Sequence, residues 1–94
     1  MNVRVPATFV VRAGGKLNPQ FVSAPAFLAV RVTISSSDGK PHHVVVRTPA
    51  PLALSVPASG RASTLLRGMR AGQYRIDVDG VTRGALLIGG EPGP

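Results

Sequence analysis

Short runs of alternating apolar and polar residues dominate this chain. The segments 28–36 (LAVRVTISS) and 73–79 (QYRIDVD) each place apolar residues at every second position and polar residues between them. A period of two with one polar face is typical of antiparallel strands that cover a shared core. Apolar and β-branched runs of the same kind predict further strands at 7–12, 20–24, 42–47, 52–56, 62–67 and 84–88.

Turn signals rich in Gly, Pro, Ser and Asp separate the predicted strands. They fall at 13–16, 36–41, 48–51, 57–62, 69–73 and 78–84. In the second of these, Asp38-Gly39 is interpreted as a hairpin turn that leads into the strand beginning at His42. No segment sustains a helical period, so seven or eight strands at this spacing predict an all-β sandwich or barrel.

The composition limits the chemistry that is available. With 94 residues the chain has the size of one small domain, and it has no cysteine, which excludes disulfides and thiolate ligands or nucleophiles. No stretch of about 18 apolar residues occurs, so the sequence predicts no membrane span. The N-terminal segment 1–15 is interrupted by Arg4, Pro6 and Arg12 and is typical of a strand rather than of a secretion signal.

The charge is strongly positive. Eleven Lys and Arg residues stand against four acids, which gives a formal net charge of +7. This imbalance is compatible with a polyanion or an anionic membrane surface as partner, or with cations spread over the outer faces of the strands. The cations form no run, and three phenylalanines, one tyrosine and no tryptophan offer few rings for stacking bases. These two features argue against nucleic-acid binding.

Two segments together resemble the cupredoxin family. The segment LNPQFVSAPAFLAVRVTISSSDGKPHHVVV (17–46) is similar to the family's second and third strands, in which a histidine opens the third. The segment GMRAGQYRIDVDGVTRGALLIGG (68–90) resembles its last two strands. The resemblance covers residues 17–89 and implies a single antiparallel Greek-key β-sandwich of seven to eight strands. We therefore expect a sandwich domain at 1–89 and a flexible C-terminal tail at 90–94.

The resemblance also implies that the type 1 copper site of cupredoxins is missing. That site needs two histidines, a cysteine thiolate and usually an axial methionine. His42 occupies the place of the first histidine, Val78 that of the cysteine, and the loop 79–83 supplies neither the second histidine nor the methionine. Three of the four ligands are absent, which excludes a type 1 copper centre.

A different metal site at His42 is the remaining alternative. His42 and His43 are adjacent, so in a strand they face opposite sides and cannot bind one ion together. The cupredoxin topology would bring Asp79 close to His42, which makes these two residues the candidate metal ligands. One imidazole with one carboxylate is a poor site. The competing interpretation is a histidine at the core edge that hydrogen-bonds to a loop carbonyl or to Asp79.

We expect a non-enzymatic, copper-free, cupredoxin-like binding or structural module that has no cofactor and contacts an acidic protein partner. No Gly-x-Ser-x-Gly elbow occurs, and no residue is assigned a catalytic role. The expected contact rim consists of His42, His43, Asp79 and Arg83. One alternative is a protein that binds Cu(II) or zinc weakly through His42 with Asp79 or Asp38. A second is a basic polyanion-binding domain.

The residues alone leave the cellular setting open between the cytoplasm and export, since a chain without cysteine is compatible with both. Cupredoxins imply an extracytoplasmic location, often as one domain of a larger exported protein. We therefore expect that any export signal lies outside this sequence.

Overall fold

A computed structural model describes residues 4–89, and β-strands make up most of that part of the chain. A short 3₁₀ turn at Ala13–Gly15 joins the first two strands. The strands are β1 (Arg4–Arg12), β2 (Lys16–Asn18), β3 (Phe21–Ala24), β4 (Ala29–Ser36), β5 (His42–Val46), β6 (Leu52–Val56), β7 (Arg61–Leu66), β8 (Gly72–Val78) and β9 (Val81–Ile88).

The strands form two facing sheets. One has the order β2-β1-β4-β7 and the other the order β3-β9-β8-β5-β6. The chain passes from one sheet to the other between β2 and β3, β3 and β4, β4 and β5, β6 and β7, and β7 and β8. This interleaving confirms the predicted all-β sandwich.

The predicted strand count and the purely antiparallel pairing need correction. Residues 4–89 contain nine strands rather than seven or eight, and two strand pairs are parallel: β1 with β4 and β3 with β9. The crossings between sheets allow this, because a strand that leaves its sheet and returns can pair in either direction. The strand missed by the prediction is β2, whose first residue, Lys16, lies in the predicted turn 13–16 and whose other two residues lie in no predicted strand.

The interpretation of Asp38-Gly39 as a hairpin turn is wrong. The strand before it, β4, pairs with β1 and β7, whereas the strand after it, β5, pairs with β6 and β8. The segment 37–41 therefore connects the two sheets. The hairpin of this kind lies instead at Asp79-Gly80, where Val78 of β8 pairs with Val81 of β9.

The core consists of the inward positions of both sheets. Val30, Val32 and Ile34 of β4 are completely buried, and so are Val44 and Val46 of β5 on the opposite sheet. Their polar neighbours in sequence face outward, in agreement with the predicted alternation. The core extends to His42, the first residue of β5, which therefore lies at the edge of the apolar interior.

The ends of the chain lie outside the described residues, and the tail predicted at 90–94 is among them. Within residues 4–89, no helix has the length and apolar character needed to cross a lipid bilayer.

Candidate functional site

His42 lies at the edge of the core. It is the first residue of β5 and shares the inward face with Val44 and Val46, so its side chain is only 6% exposed. His43 follows on the outward face and is exposed. The structure thus places the two histidines on opposite sides of the sheet, as the strand geometry predicts. Val78, at the place of the copper-ligating cysteine, is buried and pairs with Val44.

Both ring nitrogens of His42 are hydrogen-bonded to carboxylates. Nδ1 lies 2.7 Å from Oδ2 of Asp79, and Nε2 lies 2.9 Å from Oδ2 of Asp38. An imidazole can donate to two carboxylates at once only when both of its nitrogens carry a proton. The geometry therefore assigns His42 as an imidazolium, held by two charge-assisted hydrogen bonds on opposite sides of the ring. We call Asp38, His42 and Asp79 the histidine–aspartate network.

The connection between β4 and β5 positions Asp38. Its Oδ1 accepts a hydrogen bond from the hydroxyl of Ser36 at 2.9 Å and another from the backbone N–H of Lys40 at 3.0 Å. Such a bond to the N–H two residues ahead is typical of an aspartate in a turn. The Asp38 side chain is 8% exposed, so its carboxylate depends on these partners and on His42 for its hydrogen bonds.

The hairpin between β8 and β9 positions Asp79. Asp79 and Gly80 have φ angles of 51° and 85°, and two such residues in a two-residue loop form a type I′ turn. The Asp79 side chain turns back toward β5, where Oδ1 accepts a hydrogen bond from the His43 backbone N–H at 2.9 Å. Its side chain is 50% exposed, so one member of the network is in contact with water.

The hydrogen bonds shift the pKa values of all three side chains in the direction that favours the charged forms. The hydrogen bond from His42 holds the pKa of Asp38 at about 2, below its ordinary value of 3.8. The backbone N–H of His43, followed by the His42 ring, lowers the pKa of Asp79. The hydrogen bond to Asp79, supported by Asp38, raises the pKa of His42 above its ordinary value of 6.5 despite the opposing effect of burial.

This geometry decides what His42 can do chemically. A metal ligand or a general base needs a ring nitrogen with a free lone pair, and here a carboxylate faces each nitrogen. The two carboxylates lie on opposite sides of the ring, so a metal ion bound at either nitrogen would have only one of them beside it. Residues 4–89 contain no group of three or more His, Cys, Asp or Glu side chains arranged to hold a metal.

A serine-based triad does not form at this place. The hydroxyl of Ser36, the serine that is hydrogen-bonded to the network, donates to Asp38 and lies 2.6 Å from the Lys40 carbonyl oxygen. The nitrogen of His42 that would face a nucleophile in a triad instead meets Asp38.

The residues of the expected contact rim separate into two places. His42, His43 and Asp79 line one shallow depression of about 500 Å³, together with Pro41, Ser55 and Pro57. Arg83 lies in a different groove, where its Nη2 donates to the carbonyl oxygen of Gly14 at 3.1 Å. Among the described residues, the expected contact rim is therefore not one surface. Asp79 lies in the depression with the two histidines, and Arg83 lies in the separate groove.

The sequence interpretation assigned Asp38 to a turn and to the weaker metal alternative, and it missed its bond to His42. The sequence did contain a signal for this bond, because Asp38 lies only four residues before His42, in the connection that leads back to the core. The partners of Asp77 were also missed. Its carboxylate accepts hydrogen bonds from Arg47 Nε at 2.9 Å and from the Thr82 hydroxyl at 2.6 Å, and these bonds lower its pKa, the hydroxyl most strongly.

The two-sheet topology agrees with the cupredoxin-like sandwich that the sequence predicts. No protein-family model matches the sequence, and no curated protein matches it. Among solved structures, auracyanin B is similar with a TM-score of 0.74 and 17% identity, over 98% of this chain and 91% of that one. Auracyanin from the photosynthetic bacterium Roseiflexus castenholzii, reduced with dithionite, gives a TM-score of 0.70 with 13% identity, over 94% and 98%.

A third similar structure is the metal-binding domain of the Cu(I)-exporting P-type ATPase CopA of Streptococcus pneumoniae D39, determined with Cu(I). Its TM-score is 0.70 with 9% identity, over 94% of this chain and 97% of that one. These likenesses confirm the predicted cupredoxin-like fold. The chain has this fold without a cysteine, so it lacks the ligand set of a type 1 copper site.

Proposed function

We propose that this domain is a non-enzymatic, copper-free, cupredoxin-like module that binds an acidic protein partner. The observation that carries the proposal is the histidine–aspartate network, in which carboxylates occupy both nitrogens of the one histidine at a ligand place. The fold has kept the position of a metal-binding histidine and uses it for an internal ion-pair network.

The apolar side of the site supports the same proposal. Val78 takes the place of the cysteine, is 2% exposed and contacts the core beside Val44. A thiolate ligand at this point would face a metal, whereas a valine adds apolar surface to the interior. The site is therefore built as a continuation of the core, closed at its rim by His42.

The charge distribution supports an acidic partner. All three aspartates of the described chain take part in hydrogen bonds within the fold, two with His42 and one with Arg47. Among the Lys and Arg side chains of residues 5–89, Arg47 is the one in an ion pair with a described acid. The other cations remain to interact with a partner, and such surface charge raises association rates with molecules of opposite sign.

An extracytoplasmic setting is part of the proposal. It is supported by the likeness to the cupredoxin fold, and the absence of cysteine is compatible with it. That the domain belongs to a larger exported protein is supported by the likeness of fold alone.

Isothermal titration calorimetry with Cu(II) and with Zn(II) tests the proposal. At neutral pH we expect no one-to-one binding of micromolar or tighter affinity, because a metal would have to displace a carboxylate and a proton from His42. A His42→Gln variant and the matched His43→Gln variant should behave as the parent chain does. Tight one-to-one binding that His42→Gln removes and His43→Gln retains would instead establish the metal-binding alternative.

A further inference from the structure

A groove of about 780 Å³ lies on a different part of the surface from the histidine–aspartate network. Its walls are the end of β1, strand β2, the connection from β2 into β3, and Arg83 of β9. Three cations and several polar or aromatic side chains line it, and no acid is among the lining residues. The six that matter here are Arg12, Lys16, Asn18, Gln20, Phe21 and Arg83.

Arg83 is placed in this groove by a β-bulge. Ile76 of β8 pairs with Gly84 of β9, whereas the next residue, Asp77, pairs with Thr82. Arg83 is therefore the extra residue of β9, without a partner across the ladder. A bulge of this kind turns a side chain away from the direction that regular alternation would give it. Here it directs the guanidinium toward the turn after β1, where Nη2 donates to the Gly14 carbonyl.

The Arg83 guanidinium has an unused hydrogen-bond donor. Its Nε is buried and has no hydrogen-bond partner within the described chain. A buried donor without an acceptor costs free energy, and folded proteins rarely leave such a group unmatched. Because Nε itself is covered by the protein, an incoming carboxylate would reach the guanidinium through its Nη groups, and carboxylates form such two-point contacts with arginine.

The other two cations of the groove face each other. Arg12 of β1 and Lys16 of β2 are directly opposite in the antiparallel register, and both are exposed. Like charges at directly opposite positions destabilise a strand pair, and β2 has only three residues with which to offset this cost. An anion between them would relieve the repulsion and add favourable contacts with both.

We infer that this groove, rather than the His42 rim, binds carboxylate side chains of an extended acidic segment of a protein partner. The inference rests on the proposed function and assigns its site. Phe21, 54% exposed, is the one aromatic ring among the lining residues, whereas single-stranded nucleic acids are bound on several stacked rings. The amides of Asn18 and Gln20 offer donors and acceptors suited to a peptide backbone.

The test is binding of a fluorescent octaglutamate peptide, measured by anisotropy at two salt concentrations. We expect Arg83→Gln to weaken binding roughly tenfold or more, since it removes a charge-assisted, two-point contact. The matched control is Arg61→Gln, which removes the same charge from an exposed position on β7 and should weaken binding less than about twofold. Equal losses in the two variants would overturn the assignment to this groove.

A second variant and an NMR measurement distinguish a loss of peptide binding from a loss of folding. Lys16→Gln should weaken peptide binding while leaving the urea midpoint unchanged or higher, because it removes the repulsion with Arg12. In the parent chain, the NMR resonance of the Arg83 Nε–H should move as peptide is added. A Lys16→Gln variant with unchanged peptide affinity, or an Arg83 resonance that stays in place while peptide binds, would contradict the inference.

Equal losses in Arg83→Gln and Arg61→Gln would overturn this groove and leave the acidic partner standing, whereas two further outcomes would overturn both. If heparin or inorganic phosphate moves the Arg83 resonance at lower concentration than octaglutamate does, the site is a general polyanion site and the acidic-protein assignment fails. If octaglutamate does not bind the parent chain at all, both the inference and the acidic partner fail. The copper-free assignment is independent of these outcomes, because the metal titration tests it.

Discussion

Replacement of His42 by glutamine tests the histidine–aspartate network through the pH dependence of stability. Glutamine retains an N–H donor for one carboxylate but has no charge and cannot satisfy both. The folded-state pKa of His42 is raised above 6.5, so its contribution is fully present below pH 6.5 and is lost as the pH rises through the folded-state value. The two aspartates have lowered pKa values, so their contribution is present above 3.8 and is lost as the pH falls, for Asp38 toward about 2.

These signs define the window in which the network stabilises the fold. It is complete between about pH 4 and 6.5, where both carboxylates are ionised and the imidazole is protonated. Each hydrogen bond to a charged group contributes roughly 1.5–3 kcal/mol. The hydrogen bond between His42 and Asp79 contributes less, because the Asp79 side chain is half exposed and solvent screens the interaction. We therefore expect His42→Gln to lower the free energy of unfolding by about 2 kcal/mol at pH 5.5.

The assay is urea unfolding of the parent chain and the variant at pH 5.5 and pH 8.5. For a small domain a slope of about 1.5 kcal/mol per molar urea converts the expected loss into a midpoint shift of more than 1 M at pH 5.5. At pH 8.5 the shift should be smaller, because the stabilisation from the imidazolium declines as the pH rises above 6.5 and through the raised folded-state pKa. His43→Gln is the matched control, since it changes an exposed neighbour and leaves its backbone bond to Asp79 intact.

Two results would refute this reasoning. One is a difference in stability between the parent chain and His42→Gln that grows from pH 5.5 to pH 8.5. The other is a His42→Gln shift of the same size at both pH values, which would mean that packing rather than charge explains the loss.

Three further comparisons test the structure around the site, each by urea unfolding. Asp79→Asn should lower the urea midpoint less than Asp38→Asn, because Asp79 is half exposed and Asn-Gly also forms a type I′ turn. The reverse order would contradict the assigned roles of the two carboxylates. Gly80→Ala should cost more than about 1 kcal/mol through its φ of 85° alone, and Gly80→Asn should recover part of it; an alanine variant as stable as the parent would show that the turn is not type I′. Gly84→Ala should cost about 3 kcal/mol, because its Cβ would meet the Gln20 carbonyl oxygen and Leu17; a neutral effect would mean that the connection from β2 to β3 does not pack against β9 as described.

Alternation was enough to predict most of the sheet, because β4, β5 and β8 each have one face in the core. It was not enough for pairing. A turn signal such as Asp38-Gly39 marks a reversal of the chain but does not say whether the next strand returns to the same sheet. The parallel pairing of β1 with β4 depends on contacts between residues far apart in sequence, and no local pattern reports them.

Only part of the site was predicted from the sequence, again because the sequence does not show which strands pair. The cupredoxin resemblance placed His42 at the core edge and Asp79 beside it, and both placements agree with the structure. Asp38 was missed as a partner because its connection was read as a hairpin, which would have kept it on one sheet. The groove at Arg83 depends on a bulge whose one trace in the sequence is Gly84, since a glycine inside a strand pattern often marks an irregular pairing.

The central claim is that His42 serves as an imidazolium between two carboxylates and not as a metal ligand. NMR of its ring nitrogens at pH 7, with and without added Zn(II), tests this most directly. We predict two protonated nitrogens, Nδ1 and Nε2, whose resonances stay in place when zinc is added. A single protonated nitrogen, or a resonance that zinc displaces at stoichiometric concentration, would contradict the claim.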